Sequence, residues 1–299
     1  MNNVCKSSNS YINGWLVIDK PKGLSSARVV GRIKHLLGGV KVGHAGTLDP
    51  LATGVLAVAL GEATKTVSYV LKGDKDYYFT LKWGEARDTD DAEGKIIKRS
   101  SKRPTSAEIT DNINKFIGEV WQVPPNFSAL KVSGRRAYSL ARSDVEFCLP
   151  PRLVQITNLK LLQNDGDTAT LYVRCGKGTY IRALARDLAK RLGTVGHVSQ
   201  LRRTAVGPFN EKVAISLDIM ETLVHSARLA EQVLPVDTAL ADIPALELTE
   251  YDALRLRSGQ TIAVNGTDCE TIRVTTGKRL VALAKIRTGH LRPLRVFNL

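Results

Sequence analysis

Cysteine, histidine and long apolar runs are all scarce in this chain, and each shortage removes a class of function. Cys5, Cys148, Cys175 and Cys269 are scattered through 299 residues with no C-x-x-C pair. That spacing offers no frame for a structural zinc or a dithiol redox motif. The five histidines are equally dispersed and form no ligand cluster. The chemistry is therefore expected to use neither a metal nor a cofactor. The longest apolar stretch, Val55 to Leu60, falls far short of the roughly 18 residues a membrane span needs, so no membrane association is expected. The N-terminal run MNNVCKSSNSYINGW lacks the charged-then-apolar order of a secretory leader. A cytoplasmic protein with reduced cysteines is expected. The glycine-rich loop at Lys41–Pro50 has no Gly-x-x-x-x-Gly-Lys-Ser/Thr order, so a triphosphate loop is unsupported.

Positive charge is what the chain has in excess. It carries 43 Lys and Arg against 29 Asp and Glu, a formal net charge of +14. Residues 1–205 hold 32 basic and 18 acidic side chains, residues 206–249 hold 2 and 7, and residues 250–299 hold 9 and 4. A basic body, an acidic connector and a basic tail point to two surfaces for a polyanion. Nucleic acid is the large polyanion that fits. The length sets a prior of about two domains.

The apolar pattern places the motifs. Trp15–Ile18 reads as a strand entering the turn DKPKG. Ser25 or Ser26 caps a helix carrying Val29, Val30, Ile33, Leu36 and Leu37, which Gly38-Gly39 ends. The loop KVGHAGTLDP follows, then a buried strand at Val55–Leu60 and an alternating one at Tyr77–Trp83. Thr105 and Glu108 have capping-box spacing. A proline-bounded, basic insert runs from about 124 to 151 with Lys131, Arg135, Arg136 and Arg142. In CGKGTYIRALARDLAKRLG, Ile181, Leu184, Ala185, Leu188 and Leu192 recur at helical spacing. Short strands resume beyond Leu248. Strands mixed with helices and no βαβ repeat make the fold α+β.

Asp49 is the sharpest chemical candidate, a carboxylate at the end of a histidine-bearing glycine loop. Asp followed by Pro is also a helix-start signature, with Asp as N-cap and Pro at N1, and the two readings are compatible. His44 reads as a turn residue or a nucleic-acid contact. Tyr77 and Tyr180 stand near strand ends, where a ring stacks on a base or packs into the core. Arg182 lies near a helix start and is suited to pair a carboxylate, grip phosphate or sit at the surface. Asp88, Asp90 and Asp91 lack the EF-hand order and read as a solvated acidic turn, or one paired with a basic neighbour.

The strings GWLVIDKPKGLSS, KVGHAGTLDPLATGVLAVALGEATK, SALKVSGRRAY, CGKGTYIRALARDLAKRLG and HVSQLRRTAVG, in this order across residues 13–210, resemble the bacterial TruB-type tRNA pseudouridine synthases. The tail is similar to that family's small PUA-like RNA-binding module. The resemblance implies a mainly antiparallel mixed sheet flanked by helices in a catalytic domain over 1–245, with an RNA-gripping insert at about 124–151 and a PUA-like domain over 246–299. It implies isomerisation of uridine 55 in the T-loop of tRNA, acting on a flipped-out base, with Asp49 as nucleophile. By the same resemblance Tyr77 stacks on the target base and takes part in proton removal, and Arg182 pairs with Asp49. Tyr180 and Leu201 line the base pocket, His44 fits the rearranged loop, and Lys20 and Lys65 support the site. Tyr78 beside Tyr77 leaves a one-residue ambiguity. Arg135 and Arg136 contact RNA phosphates from the insert, which is expected to be mobile without RNA. The partner is the tRNA T stem-loop, bound by a monomer without an obligatory protein partner. The rival readings are a noncatalytic RNA-binding or tRNA-folding protein and a phosphoryl-transfer enzyme.

Overall fold

The computed structural model describes residues 12–143, 145–224, 226 and 228–299. Cys5, His225 and most of the N-terminal run lie outside the described residues.

The chain opens with β1 (Gly14–Lys20), α1 (Ser26–Leu36), β2 (Val42–His44), β3 (Thr53–Leu60), α2 (Val67–Lys72) and β4 (Lys75–Trp83). A small hairpin, β5 (Glu85–Arg87) and β6 (Ile96–Arg99), leads to α3 (Ser106–Ile113) and β7 (Gly118–Gln122). The basic insert holds a second hairpin, β8 (Lys131–Val132) and β9 (Arg135–Arg136), and α4 (Ala137–Arg142). Long strands β10 (Arg152–Asn164) and β11 (Thr168–Cys175) precede α5 (Ile181–Arg191) and β12 (Gly196–Val206). Then come β13 (Phe209–Asn210), β14 (Ile215–Ser216), α6 (Leu217–Leu223), α7 (Arg228–Glu231) and β15 (Val233–Leu234). The last part comprises β16 (Ala245–Glu247), α8 (Glu250–Arg257), β17 (Ile262–Ala263), β18 (Cys269–Thr276), β19 (Arg279–Arg287) and β20 (His290–Val296).

The large sheet runs β14-β1-β3-β12-β4-β11-β10-β7, with β13, β15 and β2 attached to β12, β1 and β3. Its pairings are antiparallel except β1 with β14 and β12 with β3. β3 is apolar beyond Thr53 and almost wholly buried, as a central strand covered on both faces must be. One face packs under α1 and α5, through Val29, Ile33, Leu184 and Leu188. The other collects Trp15, Val55, Val70 and Phe209. β4 keeps its period of two, so Tyr77, Phe79, Leu81 and Trp83 point inward while Tyr78 and Lys82 are exposed. Ser25 caps α1, and Thr105 with Glu108 completes the capping box of α3.

The C-terminal sheet, in the order β16-β18-β19-β20-β17, curls as a half-barrel of PUA-like form around its own core of Leu256, Val274, Ala282 and Ile286. Leu280, Leu283 and Phe297 turn toward the large sheet and join its second core beside Trp15 and Phe209. No helix is long and apolar enough to cross a membrane among the described residues.

Candidate active site

Asp49 sits in the loop between β2 and β3, and the loop is held along its length. The Ser26 hydroxyl both accepts from the Leu48 N–H (2.8 Å) and donates to the Leu48 carbonyl (3.0 Å). The Gly23 N–H donates to the Pro50 carbonyl at 2.7 Å. Leu48, Leu51 and Ala52 are drawn into the core, which leaves the Asp49 side chain outside with 36% of its surface exposed. The helix start that Asp49-Pro50 allows does not form. The Ala52 N–H closes a turn onto the Asp49 carbonyl at 3.0 Å, and the chain enters β3 at Thr53. The two buried leucines and the short distance to a central strand outweigh the local capping preference.

Arg182, the second residue of α5, meets that carboxylate. Its Nε lies 2.9 Å from Asp49 Oδ2, without the alignment of a hydrogen bond, so charge holds the pair. Nη1 donates to the Thr89 carbonyl at 2.8 Å and stands 3.5 Å from Asp91 Oδ2. Nη2 donates to the Phe127 carbonyl at 3.0 Å. A guanidinium held by this many partners at 5% side-chain exposure is fixed in direction, which an ammonium could not match. Asp91 is buried, and its Oδ1 accepts from the Thr89 hydroxyl and the Glu93 N–H. Asp90 pairs with Arg186 at 2.7 Å, while burial pushes its carboxyl up to about 6. The acidic turn is thus folded against the arginines of α5 and is not a solvated one. No cluster of three or more His, Cys, Asp or Glu is arranged for a metal among the described residues.

Three further residues converge on Asp49. Tyr77 is 8% exposed, and burial pushes its phenol pKa up, while Arg203, its cross-strand neighbour on β12, pulls it down. Asp49 also bears electrostatically on Tyr77 and on Tyr180. Tyr78 faces the opposite side of the sheet, 44% exposed and against the Tyr172 ring at 5.5 Å. Tyr180 precedes α5, and its peptide is clamped by Gln122. Its N–H donates to Gln122 Oε1 (2.8 Å), and its carbonyl accepts from Nε2 (3.1 Å). Lys20, at the end of β1, is fully buried and donates from Nζ to the carbonyls of Leu24 (2.7 Å) and Pro21 (2.9 Å), with Pro50 at 3.4 Å. Burial lowers its ammonium to about 8 against the upward pull of Asp49. Leu201 lies opposite Phe79 in the same core as Tyr77.

Four sequence candidates remain. His44 pairs with Val58 on β3, is kept neutral by burial and leaves Nδ1 without a hydrogen-bond partner among the described residues. Lys65 follows the far end of β3 from Asp49. It pairs with Glu62 at 2.6 Å and donates to the Val296 carbonyl at 2.8 Å, so its contacts are with the C-terminal part and not with Asp49. Arg135 and Arg136 are exposed on the insert hairpin. The root of that insert does reach the site, through the Phe127 carbonyl on Arg182 and the Val123 carbonyl on Arg186. Sequence reading missed Gln122, Asp91 as a partner of Arg182, and Arg203. Only Asp91 had a signal, its place in an acidic run.

Comparison with known proteins identifies the family. Residues 34–181 match the model of the TruB family pseudouridylate synthase N-terminal domain, and residues 182–241 that of the tRNA pseudouridylate synthase B C-terminal domain. The chain is 51% identical over 306 residues to tRNA pseudouridine synthase B of Caulobacter vibrioides, covering 98% of this chain and 99% of that one. It is 52% identical over 299 residues to the same-named protein of Rhodospirillum rubrum, covering 96% and 97%. Among solved structures, a Cbf5-Nop10-Gar1 complex matches with a TM-score of 0.72 at 25% identity, over 96% of this chain and 84% of that one. An H/ACA RNP bound to a substrate RNA containing 2'-deoxyuridine shares the fold, with a TM-score of 0.74 at 24% identity over 96% and 85%. By near-complete alignment at about half identity, the chain belongs to the TruB family of pseudouridylate synthases.

Proposed function

We propose that this protein isomerises uridine to pseudouridine in tRNA, at uridine 55 of the T-loop, with Asp49 as the nucleophile. The observation that carries the site assignment is the ion pair between a part-exposed Asp49 and a buried, four-way anchored Arg182. Isomerisation breaks the bond from the sugar to N1, forms one to C5, and moves a proton from C5 to N1. Nothing is oxidised and no phosphate is consumed. The carboxylate meets the charge that develops on the sugar as the base leaves, and the fixed guanidinium orients it. Tyr77 stacks on the extruded base and takes part in proton removal, while Tyr180 and Leu201 wall its pocket. Lys20 supports the Asp49 turn. His44 fits the rearranged loop, and Lys65 supports the site at longer range. Extruding a base costs a few kcal/mol, which phosphate contacts from the basic insert offset.

The catalytic unit spans 1–245 with the RNA-gripping insert at about 124–151, and the PUA-like unit spans 246–299. The protein works in the cytoplasm as a monomer on free tRNA. Incubation with unmodified tRNA and no added cofactor, followed by base-resolved chemical mapping, tests this reading. Conversion at uridine 55 is expected. Tight binding without conversion would instead identify a tRNA-folding protein.

A further inference from the structure

The two glycines that bracket Asp49, Gly46 and Gly54, both have positive φ, at 92° and 98°. The same residue crowds both. A Cβ on Gly54 would stand 2.1 Å from the Arg203 carbonyl oxygen, and one on Gly46 would stand 3.1 Å from Arg203 Nη1. The loop that presents Asp49 is therefore folded directly onto Arg203, with glycine needed where backbone or guanidinium comes close. Arg203 is 1% exposed. Its Nε donates to the Val55 carbonyl (2.8 Å) and its Nη2 to the Gly46 carbonyl (3.0 Å). On its own strand it pairs with Gly54 of β3 on one side and with Tyr77 of β4 on the other. Directly opposed residues present their side chains to the same face, and the positive charge of Arg203 acts electrostatically on the Tyr77 phenol. Removing a charged group from water is costly. Carbonyls of β3 and of the Asp49 loop, together with the Tyr77 phenol, are what this charge is spent on.

We propose that Arg203 is a positioning residue for the isomerisation, one that acts through Tyr77. It ties the tyrosine hydroxyl to the loop bearing Asp49, and so fixes the gap between the stacking ring and the carboxylate in which the target base must sit. Because the guanidinium carries only donors and positive charge, it favours a phenol whose oxygen faces it across the strand pair. This rests on the role proposed for Tyr77, and the test separates the two.

The test is a double-mutant cycle of Arg203→Lys with Tyr77→Phe, read as single-turnover rate on unmodified tRNA and as tRNA Kd, with melting curves for every variant. Arg203→Gln is carried in parallel. Arg203→Lys is expected to slow turnover at least 10-fold with Kd changed less than 3-fold, and to slow the Tyr77→Phe protein less than 3-fold. Equal slowing in both backgrounds would overturn the inference while leaving Tyr77 its role, since Arg203 would then act elsewhere. No effect of Tyr77→Phe on turnover would overturn the inference together with the proton-removal role of Tyr77, leaving that residue only its stacking role. Unfolding of both Arg203 variants would also overturn it, because the arginine would then serve the core and not the site.

Discussion

Opposite charges share the turn after Leu48: the Asp49 carboxylate, and the Lys20 ammonium that reaches the Pro50 carbonyl. Asp49→Asn keeps the shape of the loop but removes the proposed nucleophile. Product formation is expected to fall by at least about 10³-fold while tRNA affinity stays within a few-fold. Single-turnover mapping beside a filter-binding titration reads both, and comparable turnover in the mutant would discard the assignment. Lys20 gives a pH dependence whose sign can be worked out. Its folded value, about 8, lies below the ordinary 10.5 because burial disfavours the charge. Between those values the unfolded chain holds the extra proton, so this group makes folding more favourable as pH rises through that window. Turnover should move the other way, declining as pH passes about 8 and the positive charge beside Asp49 is lost. In Lys20→Met the plateau should be lower and that decline absent; an unchanged decline would place it on another group. Asp49, Tyr77 and Arg182 were legible in the sequence because their strings are distinctive. Arg203 and Gln122 were not, because what they do depends on strand register and on a contact 58 residues away in the chain.

The elements most easily read were those whose local chemistry and burial agree. The α3 capping box, the Ser25 cap and the alternation of β4 all appear where the pattern placed them. β12 runs without a break from Gly196 to Val206. Its second half carries Arg202 and Arg203, which polarity alone marks as a loop but which the sheet pairs on both sides. The insert is also more structured than its composition implied. Its hairpin is followed by a short helix that buries Ala137 and Leu140, and the Ala137 and Tyr138 N–H groups donate to the Leu130 and Ser128 carbonyls. Its cations still face outward. Changing Arg135 and Arg136 together to Ala should weaken tRNA binding and reduce the slope of log affinity against log salt by about 1.5, the loss of two phosphate contacts. An unchanged slope would remove those side chains from the interface. By hydrogen exchange, amides of the insert in the free protein should exchange faster than those of β11, and slow when tRNA is added. Full protection without RNA would contradict the mobility expected of this segment.

At the scale of the whole molecule, the two basic regions belong to different sheets, and a small apolar contact sets their spacing. Phe297 is fully buried in a cluster with Trp15, Phe209, Val236 and Leu240. The Lys65 ammonium lies 5.9 Å from the centre of its ring, and Lys65 and Glu62 hold the backbone of Val296 and Asn298. Sequence reading could not reach this contact, because the aromatic that closes it and the strand it covers are separated by nearly the entire chain. Phe297→Ala should cost about 3–5 kcal/mol of packing. That loss falls on the junction, since the C-terminal sheet keeps a separate core of its own. A substrate long enough to touch both sheets should feel the change, and one confined to the surroundings of Asp49 should not. Affinity for intact tRNA is therefore expected to fall at least 10-fold, while binding and turnover of an isolated T stem-loop hairpin stay near the parent values. Equal losses on both RNAs would mean that the cluster braces β1 and the Asp49 loop, and that the C-terminal sheet does not hold the far end of the tRNA.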